Sequence, residues 1–222
     1  KVVQMGNQQR SAKESIDIMQ QIHSGVIGEV YKALAFYSNN RGAVPVAKKA
    51  APPEGLDWEL WQGPAPHLEY NDNTWDYNWH WYGWHWGTAE TGNNATHELD
   101  VARWALGVTY PQHVEVEAAK RHFLSDGWVM YDTMDATFRF PSNKIIKWDG
   151  KSRTGYNTYG SDRGTIIYGS EGSVFDFNLD NLALGVGVEV DGRLLEQYTR
   201  ICNPPPAAQT SDEPPVIKLF DE

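Results

Sequence analysis

The stretch Val129-Met-Tyr-Asp-Thr-Met-Asp-Ala-Thr-Phe-Arg-Phe140-Pro-Ser-Asn143-Lys-Ile-Ile-Lys-Trp-Asp149 decides the fold class. It contains two runs rich in β-formers, Val129 to Phe140 and Lys144 to Asp149, parted by Pro141-Ser142-Asn143, a turn short enough for a hairpin. The same pattern extends to both sides. His113 to Phe123, Gly164 to Tyr168, Ser173 to Leu179, Leu184 to Val190 and Arg193 to Tyr198 read as strands, with Gly169 to Gly172 and Asp191-Gly192 as tight turns. Short hairpin connections join antiparallel neighbours, so a mostly antiparallel sheet follows.

Upstream, Gly28 to Tyr37 alternates Val30, Lys32, Leu34 and Phe36 and reads as another strand. From Ser11 to Ser24, Ala12, Ile16, Met19 and Ile22 fall at helical spacings; Ser11 is placed to cap with Glu14, and Gly25 supplies a stop. Thr96 to Leu106 presents Leu99, Val101, Ala102, Trp104, Ala105 and Leu106 as a broad apolar face before Gly107, a second helix. Two helices covering one face of the sheet give an α+β domain whose other face is solvated or lies on a partner. Arg41 to Tyr70 is Pro-rich yet carries Leu56, Trp58, Leu60 and Trp61, so it is expected to be an ordered excursion pinned by buried aromatics.

The 222 residues are 41% hydrophobic and 22% charged, within globular norms, and no run approaches the ~20 apolar residues of a membrane helix. A net charge of −10 repels nucleic-acid phosphates, which excludes nucleic acid as an expected partner. Cys202 is the single cysteine and can form no internal disulfide. Val2, Val3 and Met5 read as a strand in progress, and residues 203–222 as a Pro-rich tail with a short apolar end. The whole chain, 1–222, is expected to form one domain.

Trp75 to Trp86 packs five Trp, two Tyr and two His into one run. Aromatic rings stack on the apolar faces of sugars while neighbouring polar groups bond hydroxyls, and they equally fill cores that lack regular structure. His80, His85 and His97, with Glu90 and Glu98, are metal-ligating types, but no His-Glu-x-x-His spacing or second cysteine supports a site, so none is expected. Gly92-Asn-Asn-Ala-Thr-His-Glu-Leu-Asp100 sets Asn93 and His97 at a helix start. Unpaired N–H groups there can hold a polar ligand, and a His can move a proton near neutral pH or serve structure alone. Lys151 to Arg163 is a polar loop bearing Arg153 and Tyr156 that can close over a ligand or simply connect strands.

Five segments in order carry a resemblance. They are Val3-Gln-Met-Gly-Asn-Gln-Gln-Arg10, Gly25-Val-Ile-Gly28-Glu-Val, Gly55-Leu-Asp-Trp-Glu-Leu-Trp-Gln-Gly-Pro-Ala-Pro66, His97-Glu-Leu-Asp100-Val-Ala-Arg-Trp104-Ala-Leu-Gly107 and Gly164-Thr-Ile-Ile-Tyr-Gly-Ser-Glu-Gly172. Together the chain resembles the C-terminal domain of the glucose-fructose oxidoreductase, inositol dehydrogenase and rhizopine-catabolism (Gfo/Idh/MocA) family. The resemblance implies a large open, mainly antiparallel sheet and a parent enzyme whose N-terminal Rossmann domain binds NAD or NADP. No Gly-x-Gly-x-x-Gly occurs here, so that half is expected to be absent, residues 1–10 to be a remnant of the inter-domain strand, and the chain alone to be inactive without bound cofactor.

The resemblance also implies that His97 is the catalytic proton relay, with Asn93 where many relatives carry Asp. Trp79, His80, Arg153 and Tyr156 are then candidates to line a sugar or polyol substrate, and Arg10 the cofactor edge. It further implies homo-oligomerisation through an exposed apolar sheet face. The expected function is substrate binding and oligomerisation within a NAD(P)-dependent sugar or polyol oxidoreductase. The alternatives are a NAD-dependent glycosidase of the same fold and a non-catalytic carbohydrate-binding or assembly module.

Overall fold

A computed structural model describes residues 2–158, 160–176, 187–190 and 193–194. Strand β1 (Val30–Ser38) is the axis of the fold. It pairs in parallel with β4 (Ile145–Lys151), Ala35 beside Trp148, and antiparallel with β5 (Arg163–Gly169), Ala35 beside Thr165. The other strand pairings among the described residues are antiparallel, and the order is β2-β3-β4-β1-β5-β6-β7-β8, with β2 His113–Ala119, β3 Thr133–Arg139, β6 Gly172–Asp176, β7 Gly187–Val190 and β8 Arg193–Leu194. This is the open, mainly antiparallel sheet expected. Parallel neighbours need a long crossover, and residues 39–144 supply it. That connection carries the Pro-rich excursion, the aromatic run, a helix and the β2–β3 pair, and it begins at the end of β1 where the strand chemistry stops.

Two long helices cover one sheet face. Helix α1 (Lys13–His23) buries Ile18, Met19 and Ile22, and Gly25 at φ +92° stops it; Ala12 rather than Ser11 is its N-cap, because Ser11 belongs to a preceding 3-10 turn (Gln8–Ser11). The other α-helices among the described residues are α2 (Trp58–Gln62), α3 (Trp79–Tyr82) and α4 (Ala95–Leu106). Helix α4 lies closest to the sheet because the contact is made of small residues. Ala33 and Ala35 of β1 meet Ala95, Ala102 and Ala105, within a core that includes Val101, Leu106, Ile146, Trp148, Ile167 and Val174. Its first residue packs with Ala35 and Tyr37 and its last near Val30 and Ile18, so α4 runs back along β1 and starts over the end of that strand.

Several boundaries differ from the sequence reading. The strands expected at 113–123 and 129–140 shorten to β2 and β3, because residues 120–132 leave the ladder to close on a buried carboxylate, Asp132, which accepts from the Arg121 and His122 N–H groups (2.8 and 2.9 Å). Val2 to Met5 is exposed and irregular, with no strand partner among the described residues. Leu60 is exposed, whereas Trp58 is buried as expected. On the helix-free face, Glu117, Asp135 and Asp149 lie abreast across β2, β3 and β4. Burial, then Asp149 and Glu117, raise the Asp135 carboxyl above its ordinary value. That part of the face is charged rather than apolar, whereas Leu34, Phe36 and Ile166 lie on the same face at β1 and β5. The ends of the strands expected at 173–179, 184–190 and 193–198, the turn 191–192, and the tail 203–222 lie outside the described residues.

Two glycine-bearing segments meet at the opposite end of β1. Glu171 N–H donates to the Ile27 carbonyl and Ser170 N–H to the Glu29 carbonyl, both at 3.0 Å, and a Cβ at Gly169 would collide with the Ile27 carbonyl oxygen. We predict that Gly169→Ala destabilises the fold by about 2–3 kcal/mol, while Gly6→Ala, in open space, changes it by less than about 0.5 kcal/mol, as read from urea midpoints.

Candidate active site

The site lies where β1 ends and α4 begins. Glu90, in the turn before α4, is only 4% exposed. A carboxylate removed from water must be paired, and the chain provides partners from two segments. Arg41, three residues beyond β1, donates from Nε to Glu90 Oε1 at 2.6 Å; Asn93 donates to Oε2 at 3.3 Å and Asn94 to the same oxygen. The Arg41 Nη2 also reaches the hydroxyls of Tyr37 and Tyr77, each at 3.2 Å, and its guanidinium lies 4.9 Å from the Trp81 ring centre. Burial and then Glu90 raise the Tyr37 hydroxyl's pKa. One buried ion pair thus fixes the end of β1, the aromatic run and the first residues of α4.

The aromatic run folds as a π-helical turn (Thr74–Asn78) followed directly by α3. Trp81 stacks on Trp128 with ring centres 4.0 Å apart, so these two rings are core. Trp79 and His80 stack at 3.7 Å and stay partly exposed. His80 Nδ1 lies 2.6 Å from the Tyr77 carbonyl oxygen. A carbonyl only accepts, so Nδ1 carries the proton and Nε2 is the acceptor of the neutral ring. Burial lowers the His80 pKa, outweighing the opposing effects of the Tyr77 carbonyl and Glu90.

Trp79, His80, Trp84, His85, Trp86, Thr88 and Asn93 line a cleft of about 330 Å³ directly before α4. The structure therefore brings together Asn93, Trp79 and His80, three of the residues singled out from sequence. His97 follows one turn into α4, half-buried, its N–H donating to the Asn94 carbonyl at 3.1 Å. Its neighbour Glu98 faces the sheet instead, bound by Arg163 Nε at 2.8 Å, while the Glu98 carbonyl accepts from the Thr165 hydroxyl at 3.0 Å. His97 and Glu98 thus occupy different helix faces.

His97 is not among the residues that line this cleft, and neither are the other candidates. Arg153 has a fully buried side chain, donating to Asp126 and to the His122 carbonyl and lying 4.3 Å from the Trp128 ring centre. Despite burial, its bonds from Arg153 and Lys120 hold Asp126 below the usual carboxylate range. Arg153 ties the 120–132 loop to the core. Tyr156 is 76% exposed in the loop after β4. Arg10 donates from Nε and Nη2 to Asp100, both at 2.8 Å, and lies over Trp104. Asp100 and Trp104 follow His97 at i+3 and i+7, so the N-terminal segment is clamped to the helix stripe that bears His97. Arg41 and Tyr77 were missed by sequence reasoning, because nothing local marks an Arg after a strand as the counter-ion of a Glu 49 residues on. Among the described residues no three His, Cys, Asp or Glu side chains gather into a metal-binding group.

A family model described as "Oxidoreductase family, C-terminal alpha/beta domain", of the Gfo/Idh/MocA type, matches residues 25–181. Solved structures with the same fold include an aldose-aldose oxidoreductase from Caulobacter crescentus complexed with glycerol (15% identity, TM-score 0.57, covering 93% of this chain and 48% of that one). Another is a levoglucosan dehydrogenase complexed with NADH and L-sorbose (19%, 0.56, 87% and 45%). A third is a NAD binding oxidoreductase from Klebsiella pneumoniae (14%, 0.53, 85% and 43%). The chain spans about half the length of each. No protein of curated function matches the sequence.

The hydrogen bond and burial at His80 set a pH dependence. A His whose folded pKa is depressed contributes stability that is complete above its unfolded value, begins to diminish as pH drops below that value, and is lost as pH falls through the lower folded pKa. We predict that the His80 ring titrates below the ordinary imidazole value of 6.5 and shows the Nδ1–H tautomer by ¹⁵N NMR, and that His80→Gln reduces the loss of stability on acidification.

Proposed function

We propose, from the premise that this chain belongs to the Gfo/Idh/MocA oxidoreductase family and spans its C-terminal α/β domain, that it forms the substrate side of a NAD(P)-dependent oxidoreductase acting on a sugar or polyol. The observation that carries this reading is the cleft before α4, where Trp79, Trp84 and Trp86 offer ring faces and His80, Thr88 and Asn93 offer polar groups. Sugars present both an apolar CH face and hydroxyls, and a cleft of mixed aromatic and polar lining suits them. Two structural neighbours named for sugars, the aldose-aldose oxidoreductase and the levoglucosan dehydrogenase, support the substrate class.

In this reading Trp79 stacks on the ring and neutral His80 accepts a hydroxyl at Nε2. Asn93 donates an amide N–H to Glu90, which orients its carbonyl oxygen as an acceptor for a substrate hydroxyl. Asn cannot act as a carboxylate base, so the proton falls to His97. The chemistry that NAD or NADP supplies when bound is hydride acceptance and return at the nicotinamide. This chain has no Gly-x-Gly-x-x-Gly turn, and its own contribution toward the nucleotide is Arg10, anchored by Asp100 and Trp104. Self-association through the sheet face that carries neither long helix completes the proposal.

In the intact enzyme we predict that His97→Ala lowers kcat by about 10²-fold or more with a much smaller change in KM, because proton transfer acts in the transition state. Asn93→Ala should mainly raise KM. Steady-state kinetics followed by nicotinamide absorbance separates the two, and an unchanged kcat in His97→Ala would remove His97 from the chemistry.

A further inference from the structure

A second cleft adjoins the first. It has a volume of about 590 Å³ and is lined by Trp61, Gln62, Pro64, Ala65, Trp79, His85 and Trp86. Trp79, His85 and Trp86 are common to both clefts, so the two share a wall rather than merely lying on the same surface. The far wall comes from α2 and the Pro64 turn in the excursion at 41–70. That wall is built: Asp57 caps α2 by accepting from Leu60 N–H at 2.9 Å, Trp58 donates from Nε1 to the Leu68 carbonyl at 2.7 Å, and Trp58 stacks on Trp61 with centres 4.8 Å apart. Trp61 meets Trp86 edge to face at 5.4 Å and Trp79 edge to face at 6.4 Å, so the three rings form one continuous aromatic wall. The Trp86 indole N–H, buried in the shared wall, has no acceptor among the described residues.

The two clefts differ in chemistry. The first carries Asn93, Thr88 and His80, groups that discriminate hydroxyl positions. In the second, Gln62 is already used: its Oε1 accepts from Leu68 N–H at 2.7 Å, and its Nε2 lies 3.2 Å from His67 Nδ1. Apart from His85, shared with the first cleft, what remains is aromatic and aliphatic surface, which holds a ring by stacking. We infer that the substrate is a two-unit saccharide: the reacting unit sits in the cleft at Asn93, and a second pyranose stacks in the adjoining cleft against the wall formed by Trp61, Trp79 and Trp86. This rests on the sugar reading above and extends it to the size of the substrate. The site is selective for the first unit and tolerant of the second.

The test is binding to the intact protein, followed by calorimetry, with D-glucose, cellobiose and maltose as probes. Each disaccharide should bind at least about ten-fold more tightly than glucose. Trp61→Ala should remove that advantage while leaving glucose affinity within about two-fold. Because Trp61 also packs on Trp58, Ala65→Tyr is the second variant: it fills the cleft without removing a core ring and should have the same effect. Disaccharides that bind no better than glucose, or variants that weaken glucose and disaccharide alike, overturn the inference while leaving the sugar site standing. Failure of all three sugars to bind overturns the sugar reading itself.

Discussion

The structure of this site depends on a carboxylate that is out of water. Glu90 is buried at the start of α4, and an unpaired charge there would cost several kcal/mol, so its partners cannot be elsewhere. Arg41 must approach from the end of β1, Asn93 and Asn94 must turn back from the helix start, and Tyr77 must be close enough to share the guanidinium. The three segments are distant in sequence and would otherwise be connected only by loops. Their convergence shapes the cleft whose lining includes Asn93, His80 and Trp79.

The sheet makes that convergence possible. Parallel pairing of β1 with β4 puts the ends of both strands on one edge, and α4 runs back along β1, so its first turn lies at the same edge. Alanines at the helix–sheet contact allow the close approach. Arg163, at the start of β5, and Thr165 then hold Glu98 from below, which leaves His97 on the flank of the helix. The clamp of Arg10 on Asp100 and Trp104 occupies the remainder of that flank. Rigid elements therefore surround a site whose lining comes mostly from irregular chain.

Much of this was legible in the sequence, for reasons that particular residues make plain. Period-two alternation exposed the strands, and helical spacing of Val101, Ala102, Ala105 and Leu106 exposed α4, because both patterns record which face is buried. The helix start beside Asn93 and His97 was visible because it is a local feature. What escaped depends on long-range pairing: the parallel neighbour of β1, the Asp132 carboxylate that ends the β2–β3 ladder early, and the use of Arg153 as a buried cation for Asp126. The aromatic run shows the same limit. Composition could not say that Trp81 is core against Trp128 while Trp79 lines two clefts, since both lie in one tripeptide.

The central claim is that the cleft between the aromatic run and the start of α4 holds the reacting sugar. A crystal structure of the intact protein with NAD(P) and a sugar substrate tests it most directly. The account predicts the sugar ring on the Trp79 face, a hydroxyl bonded to Asn93, and the reacting hydroxyl within hydrogen-bond reach of His97. A sugar bound away from this cleft, or held there with His97 turned from it, would contradict the account.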